Sequence, residues 1–253
     1  MTSTVPAAMT SSADGSTLEA VLLDMDGTLV DTEGLWWEAE VEVFAALGHA
    51  LDDAWREVVV GGPMTRSAGF LIESTGADIP LAELTTLLND GFEQRIGGAL
   101  PLRPGAARLL AELTACKVPT ALVSASHRRI IDRVLVSLGP QNFALTVAGD
   151  EVERTKPHPD PYLLAAAGLG AHPARCVVVE DTLTGVASAE AAGCRVLAVP
   201  SVAPIPPAGG RTVRSSLEEI DVPFLRALMA ETHRTCTPER APAPLRISGK
   251  PAS

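Results

Sequence analysis

Short apolar runs recur along the chain, each stopped by a polar or charged residue. Residues 19–24 read EAVLLD and 119–124 read PTALVS; 145–148 form a third run, 175–179 (RCVVV) a fourth before Glu180 and Asp181, and 195–199 (RVLAV) a fifth. Runs that are continuous rather than alternating suit strands buried on both faces. Between them lie stretches with apolar residues at helical spacing: 104–116, 127–138 ending at Gly139, 160–167, and 182–192 ending at Gly193. A glycine just past the last periodic residue is a common helix stop. Strand alternating with helix predicts an α/β fold, a Rossmann-like parallel sheet with helices on both sides.

One region breaks the alternation. Segments 36–47, 65–75 and 80–96 carry helical patterns that end at Gly48, Gly76 and Gly97-Gly98, with no convincing strand among them. This predicts an inserted α-helical cap at 35–100, with the α/β core made from 19–34 and 101–230. Residues 1–18 are rich in Ser, Thr and Ala, and 231–253 in Pro, Arg and Thr; both lack apolar periodicity and are expected to be a disordered leader and tail. The leader has neither a basic start nor a continuous apolar stretch, so no secretory signal is expected.

Charge and composition narrow the function classes. With 20 Lys and Arg against 31 Asp and Glu, the formal net charge is −11, and no dense basic run offsets it. Nucleic acid and anionic membrane are therefore poor partners. Apolar runs fall short of the ~18 residues a membrane span needs. Aromatics are only 4% of the chain, so the core must be built from Ala, Val and Leu. Cys116, Cys176, Cys194 and Cys236 form no CxxC pair, which disfavours a disulfide framework or structural zinc and points to a reducing cytoplasm.

In an open α/β sheet, ligands bind outside the carboxyl ends of the strands. The residues there are Asp24-Met25-Asp26-Gly27-Thr28, Ser124-Ala125-Ser126, Thr155-Lys156-Pro157 and Glu180-Asp181. Clustered carboxylates repel one another, and a hard divalent cation relieves the repulsion; all-oxygen ligation favours Mg2+ over zinc. A lysine and a hydroxyl could hold an anion beside that metal. The set suits phosphoryl transfer, with a carboxylate available as nucleophile.

Residues 24–33 (DMDGTLVDTE), 123–126 (VSAS), 155–162 (TKPHPDPY) and 177–186 (VVVEDTLTGV) resemble the four motifs of the haloacid dehalogenase superfamily, in its phosphatase and phosphomutase branch with a small helical cap. The resemblance spans roughly residues 19–229. It implies that Asp24 is the nucleophile forming an aspartyl phosphate, and that Asp26 is the general acid and base. It implies Mg2+ bound by Asp24, the Asp26 backbone carbonyl and Asp181, with Glu180 at the neighbouring acidic position as a further candidate ligand. Ser124, the Ala125 backbone and Lys156 would cradle the phosphoryl group, with Thr28 supporting the turn beside them. Arg66 falls near the position of a substrate-facing arginine in the family's mutases. An Asp at position 26 separates the chain from the dehalogenases of the superfamily.

The family's sugar phosphomutases also carry a histidine in the first cap helix. Here that position is Trp36, and His127-Arg128 replaces the Lys-Asn that follows Ser-Ala-Ser in those enzymes. A monomeric phosphatase of a small phosphorylated metabolite, of sugar-phosphate or phosphoglycolate type, is therefore the expected activity. The alternatives are a β-phosphoglucomutase-like enzyme and, behind it, a non-catalytic phosphate-binding module. Trp37 is expected in the cap core, and the histidines show no ligand spacing.

Overall fold

The computed structural model describes residues 17–59, 64–98 and 100–231. The expected leader and tail lie almost wholly outside these residues, as do Cys236 and residues 60–63. Among the described residues, six strands make one sheet in the order β3-β2-β1-β4-β5-β6, every neighbouring pair parallel. The strands are β1 Ala20–Leu23, β2 Thr120–Val123, β3 Leu145–Val147, β4 Cys176–Glu180, β5 Arg195–Ala198 and β6 Arg211–Val213. The apolar runs explain the first five: alternate residues point to opposite faces, and both faces are covered. Val21, Leu23, Leu122, Val177 and Val179 pack on one side, with helices α5 (Ala106–Ala115), α6 (Arg128–Leu138) and α9 (Val222–Glu231). Ala20, Leu22, Val123, Val178 and Val196 pack on the other, with α7 (Asp160–Gly168) and α8 (Leu183–Ala191).

Two expectations about the sheet are corrected. The sixth strand, β6, has no apolar run; Arg211, Thr212 and Val213 are half-buried at the sheet edge, where a polar strand is tolerated. Glu180 does not follow β4 but ends it, paired in register with Ala198.

Between β1 and α5 the described residues form four α-helices: α1 (Glu33–Ala46), α2 (Arg56–Val59), α3 (Met64–Thr75) and α4 (Leu81–Arg95). These helices share a core of their own around Trp37, Phe44, Leu71, Leu84 and Leu88. The chain leaves and re-enters the sheet layer side by side, Val30 bridging to Leu102 and the Asp31 N–H donating to Pro101 O. On the rim, α6 reaches the helical segment: Arg129 pairs with Asp90 and Glu93, and Arg133 with Glu93. No helix among the described residues is long and apolar enough to cross a membrane.

Candidate active site

Parallel strands that start at one edge also end at one edge, so the residues after β1, β2 and β4 meet. Asp24 follows β1 directly and is buried. Its Oδ1 accepts from Lys156 Nζ at 2.6 Å, while its Oδ2 is buried without a hydrogen-bond partner among the described residues. Lys156 is committed three ways, donating also to Glu180 Oε1 at 2.7 Å and Val123 O at 2.9 Å. An ammonium has three protons, so this lysine is held rigidly.

Glu180 is the most heavily bonded carboxylate here. Its Oε1 accepts from Lys156 and from the Tyr162 hydroxyl, and its Oε2 from the Asp181 and Thr182 N–H groups and Thr182 Oγ1. Asp181 Oδ1 accepts from Thr28 Oγ1 at 3.3 Å, and its Oδ2 from Ser201 Oγ at 2.5 Å. Thr28 thus touches the acidic cluster and does not line the cavity. Gly27 is the residue this arrangement demands: its φ is +78°, and a Cβ there would lie 2.1 Å from Asp181 Oδ2.

Asp26 is half-buried and accepts from three hydroxyls, Thr32 Oγ1 at 2.8 Å, Ser126 Oγ at 2.9 Å and Ser124 Oγ at 3.2 Å. Thr32 stands at the N-cap of α1, but its side chain makes no capping bond and is spent on Asp26 instead. Ser124 Oγ in turn accepts from the Ser126 N–H, which closes the loop after β2.

Electrostatics set this cluster apart. Burial first, then the charge of Glu180, push the Asp24 carboxyl up to about 7 against the pull of Lys156. Burial and the neighbouring Asp24 and Glu180 raise Asp181 well above the carboxylate range. Burial alone would lower Lys156, yet Asp24 and Glu180 hold it fully protonated. One oxygen from each of Asp24, Glu180 and Asp181 lies within 4.8 Å of the others. A divalent cation fits: the donors are all oxygen, the negative charge exceeds the one ammonium, and the orphaned Asp24 Oδ2 has no other partner.

The cavity over the cluster holds about 240 Å³. Its floor is Asp24, Asp26, Ser124, Ala125, Lys156 and Asp181; Trp36, Trp37, Glu40, Met64 and Asn89 of the helical segment roof it. Trp36 stacks on Phe92 of α4, ring centroids 3.8 Å apart, and Trp37 belongs to the core of the helical segment while showing an edge to the cavity. Arg66 is exposed on α3 and is not among the lining residues. Glu40 escaped the sequence reading. It is 4% exposed, and burial pushes its carboxyl up to about 7. One signal for it exists: Trp37, Glu40 and Phe44 recur at helical spacing, so a charge interrupts the buried stripe of α1.

The family model of haloacid dehalogenase-like hydrolases matches residues 18–193. Protein CbbY of Rhodobacter capsulatus is 34% identical over 197 residues, 73% of this chain and 86% of that protein. Hexitol phosphatase A of Escherichia coli is 35% identical over 205 residues, 79% of this chain and 92% of that one. A variant of CbbY from Rhodobacter sphaeroides, solved in complex with xylulose-(1,5)bisphosphate, aligns with a TM-score of 0.73 at 28% identity, covering 83% of this chain and 99% of that structure. The chain belongs to the haloacid dehalogenase-like hydrolases and is an enzyme of that family.

Proposed function

We propose that the protein is a Mg2+-dependent phosphatase that hydrolyses a small sugar-phosphate-type monoester through an aspartyl phosphate on Asp24. One observation carries this reading: a buried carboxylate with one oxygen on an ammonium and the other unpartnered, beside a second Asp held by three hydroxyls. The likeness to a hexitol phosphatase, and to a CbbY that holds a sugar bisphosphate, favours phosphorylated sugars as the substrate class.

Asp24, Asp181 and the Asp26 backbone carbonyl would hold Mg2+, with Glu180 beside them fixing Lys156. When bound, the ion neutralises charge on the phosphoryl oxygens. Lys156, Ser124 and the Ala125 backbone cradle the phosphoryl group. An Asp24 carboxylate oxygen attacks phosphorus, the bond from phosphorus to the ester oxygen breaks, and Asp26 gives its proton to the departing alkoxide. Asp26, now ionised, takes a proton from water as that water attacks the same phosphorus. The bond to Asp24 breaks, inorganic phosphate leaves, and both carboxyls return to their starting states. The helices at 35–100 act as a cap that closes over the ester and excludes bulk water.

Phosphate release from p-nitrophenyl phosphate and hexose 6-phosphates tests this. Wild-type protein should turn over with Mg2+ and lose activity in excess EDTA. Asp24→Asn keeps the side chain's shape without the attacking carboxylate, and should fall to background while its melting curve stays cooperative. Near-normal turnover by folded Asp24→Asn, or full activity in EDTA, would overturn the mechanism.

A further inference from the structure

The roof of the cavity is chemically one-sided. Glu40 sits in it 4% exposed, with no hydrogen-bond or ion-pair partner among the described residues. Glu33, about two turns earlier on α1, also lines the cavity and buries its Oε1 without a partner among the described residues. Ser67 has already given its proton to Val59 O, so its oxygen is left as an acceptor. The remaining roof is Trp36, Trp37 and Met64, with Asn89.

Among the described residues, positive charge is missing from that roof. Among the described lining residues, Lys156 is the one permanent cation, and it lies at the floor, bonded to Asp24, Glu180 and Val123 O and away from the roof. Arg66 points its charge elsewhere, exposed on α3 and outside the lining. A second phosphate or a carboxylate on the substrate would therefore meet two carboxylates and no counter-charge, and like charges facing each other in a closed site strongly disfavour binding. A hydroxyl meets the opposite situation: it donates to an unpartnered carboxylate, and the carbon chain behind it lies against the tryptophans.

Resting on the phosphatase reading above, we infer that Glu40, aided by Glu33, selects the leaving group: a neutral, hydroxyl-rich carbon chain is accepted, and esters with a second anionic group are rejected. Glu40 is a specificity residue of the roof. It takes no part in moving the phosphoryl group.

The test compares, at pH 8 where Glu40 is ionised, kcat/KM for phosphate release by the full chain with Mg2+ on sorbitol 6-phosphate, xylulose 1,5-bisphosphate and phosphoglycolate, with p-nitrophenyl phosphate as the control ester. Wild type should favour sorbitol 6-phosphate over both esters with anionic tails by about tenfold or more. Glu40→Gln removes the charge and keeps the shape, so this preference should collapse several-fold, through a higher KM for the polyol and a lower KM for the bisphosphate. A purely structural role would change all esters in proportion and leave the ratio fixed. A wild-type preference for the bisphosphate or phosphoglycolate would overturn the inference, as would a ratio untouched in Glu40→Gln. If the variant does not fold, the wild-type preference alone decides. Absence of turnover on every ester, p-nitrophenyl phosphate included, would instead overturn the phosphatase reading on which the inference rests.

Discussion

Glu40 is costly to bury, and that cost has a sign that can be measured. Its carboxyl is raised from 4.5 to about 7, so the folded protein prefers it neutral. Below about pH 4.5 the group is protonated both folded and unfolded, and the fold loses nothing. Between about pH 4.5 and 7 the unfolded chain releases this proton while the folded protein keeps it, so stability falls across that window and levels off above it; the shift corresponds to a ceiling on the order of 3 kcal/mol. Glu40→Gln removes this loss. The variant is expected to melt close to wild type at pH 5 and several degrees higher at pH 8, without substrate. An equal offset at both pH values would show that the carboxylate is not the source. The same residue marks the limit of sequence reading. α1 contains Glu33, Glu38, Glu40 and Glu42, and only packing decides that Glu38 and Glu42 meet Arg95 while Glu40 turns into the cavity. Asp24, Asp26, Lys156 and Asp181, in contrast, were legible as a group, because parallel strands carry distant residues to one sheet edge. Thr32, Tyr162 and Ser201 were not, since a hydroxyl's partner is set by tertiary geometry rather than by spacing.

Elements were readable wherever burial is two-sided. β1, β2, β4 and β5 announce themselves as apolar runs, whereas β6 has a single apolar residue, Val213, packed against the core and leaves no run to read. The contact between α4 and α6 was also invisible, because Arg129, Arg133, Asp90 and Glu93 look like any solvated charges along a chain. In the fold they join the helical segment to the sheet layer, Arg129 lying 2.9 Å and Arg133 2.9 Å from Glu93. Half-exposed pairs of this kind contribute at most about 1 kcal/mol each to stability. If the helical segment closes as the proposed cap, these pairs would matter more to closure than to folding, since they bridge the two layers that would part. Replacing both arginines by alanine is expected to move the melting temperature little and to raise KM several-fold, and the ionic-strength dependence of KM should weaken. A KM unchanged in the double variant would show that these pairs do not govern access to the cavity.

At the scale of the molecule, one sheet edge and one helical roof enclose a site whose product, under the proposed mechanism, depends on which acceptor attacks the phosphoryl group on Asp24. If water is the acceptor, Asp26 takes its proton and inorganic phosphate appears. If a sugar hydroxyl is the acceptor, the intermediate has to survive while a bisphosphate turns around, and the roof must hold the distal phosphate meanwhile. The roof is unsuited to that: Glu33 and Glu40 carry the wrong charge, Trp36 is stacked flat on Phe92, and Arg66 stands outside the lining. The net charge of −11 across the chain adds to the repulsion of a doubly phosphorylated ligand. Hydrolysis is therefore the expected fate. Following β-glucose 1-phosphate by ³¹P NMR, with Mg2+ and a trace of glucose 1,6-bisphosphate, should show free phosphate growing in step with ester loss, at a rate that does not depend on the bisphosphate. Glucose 6-phosphate accumulating without free phosphate would make the protein a mutase, and would require that the roof rearrange to bring a cation such as Arg66 over the cavity.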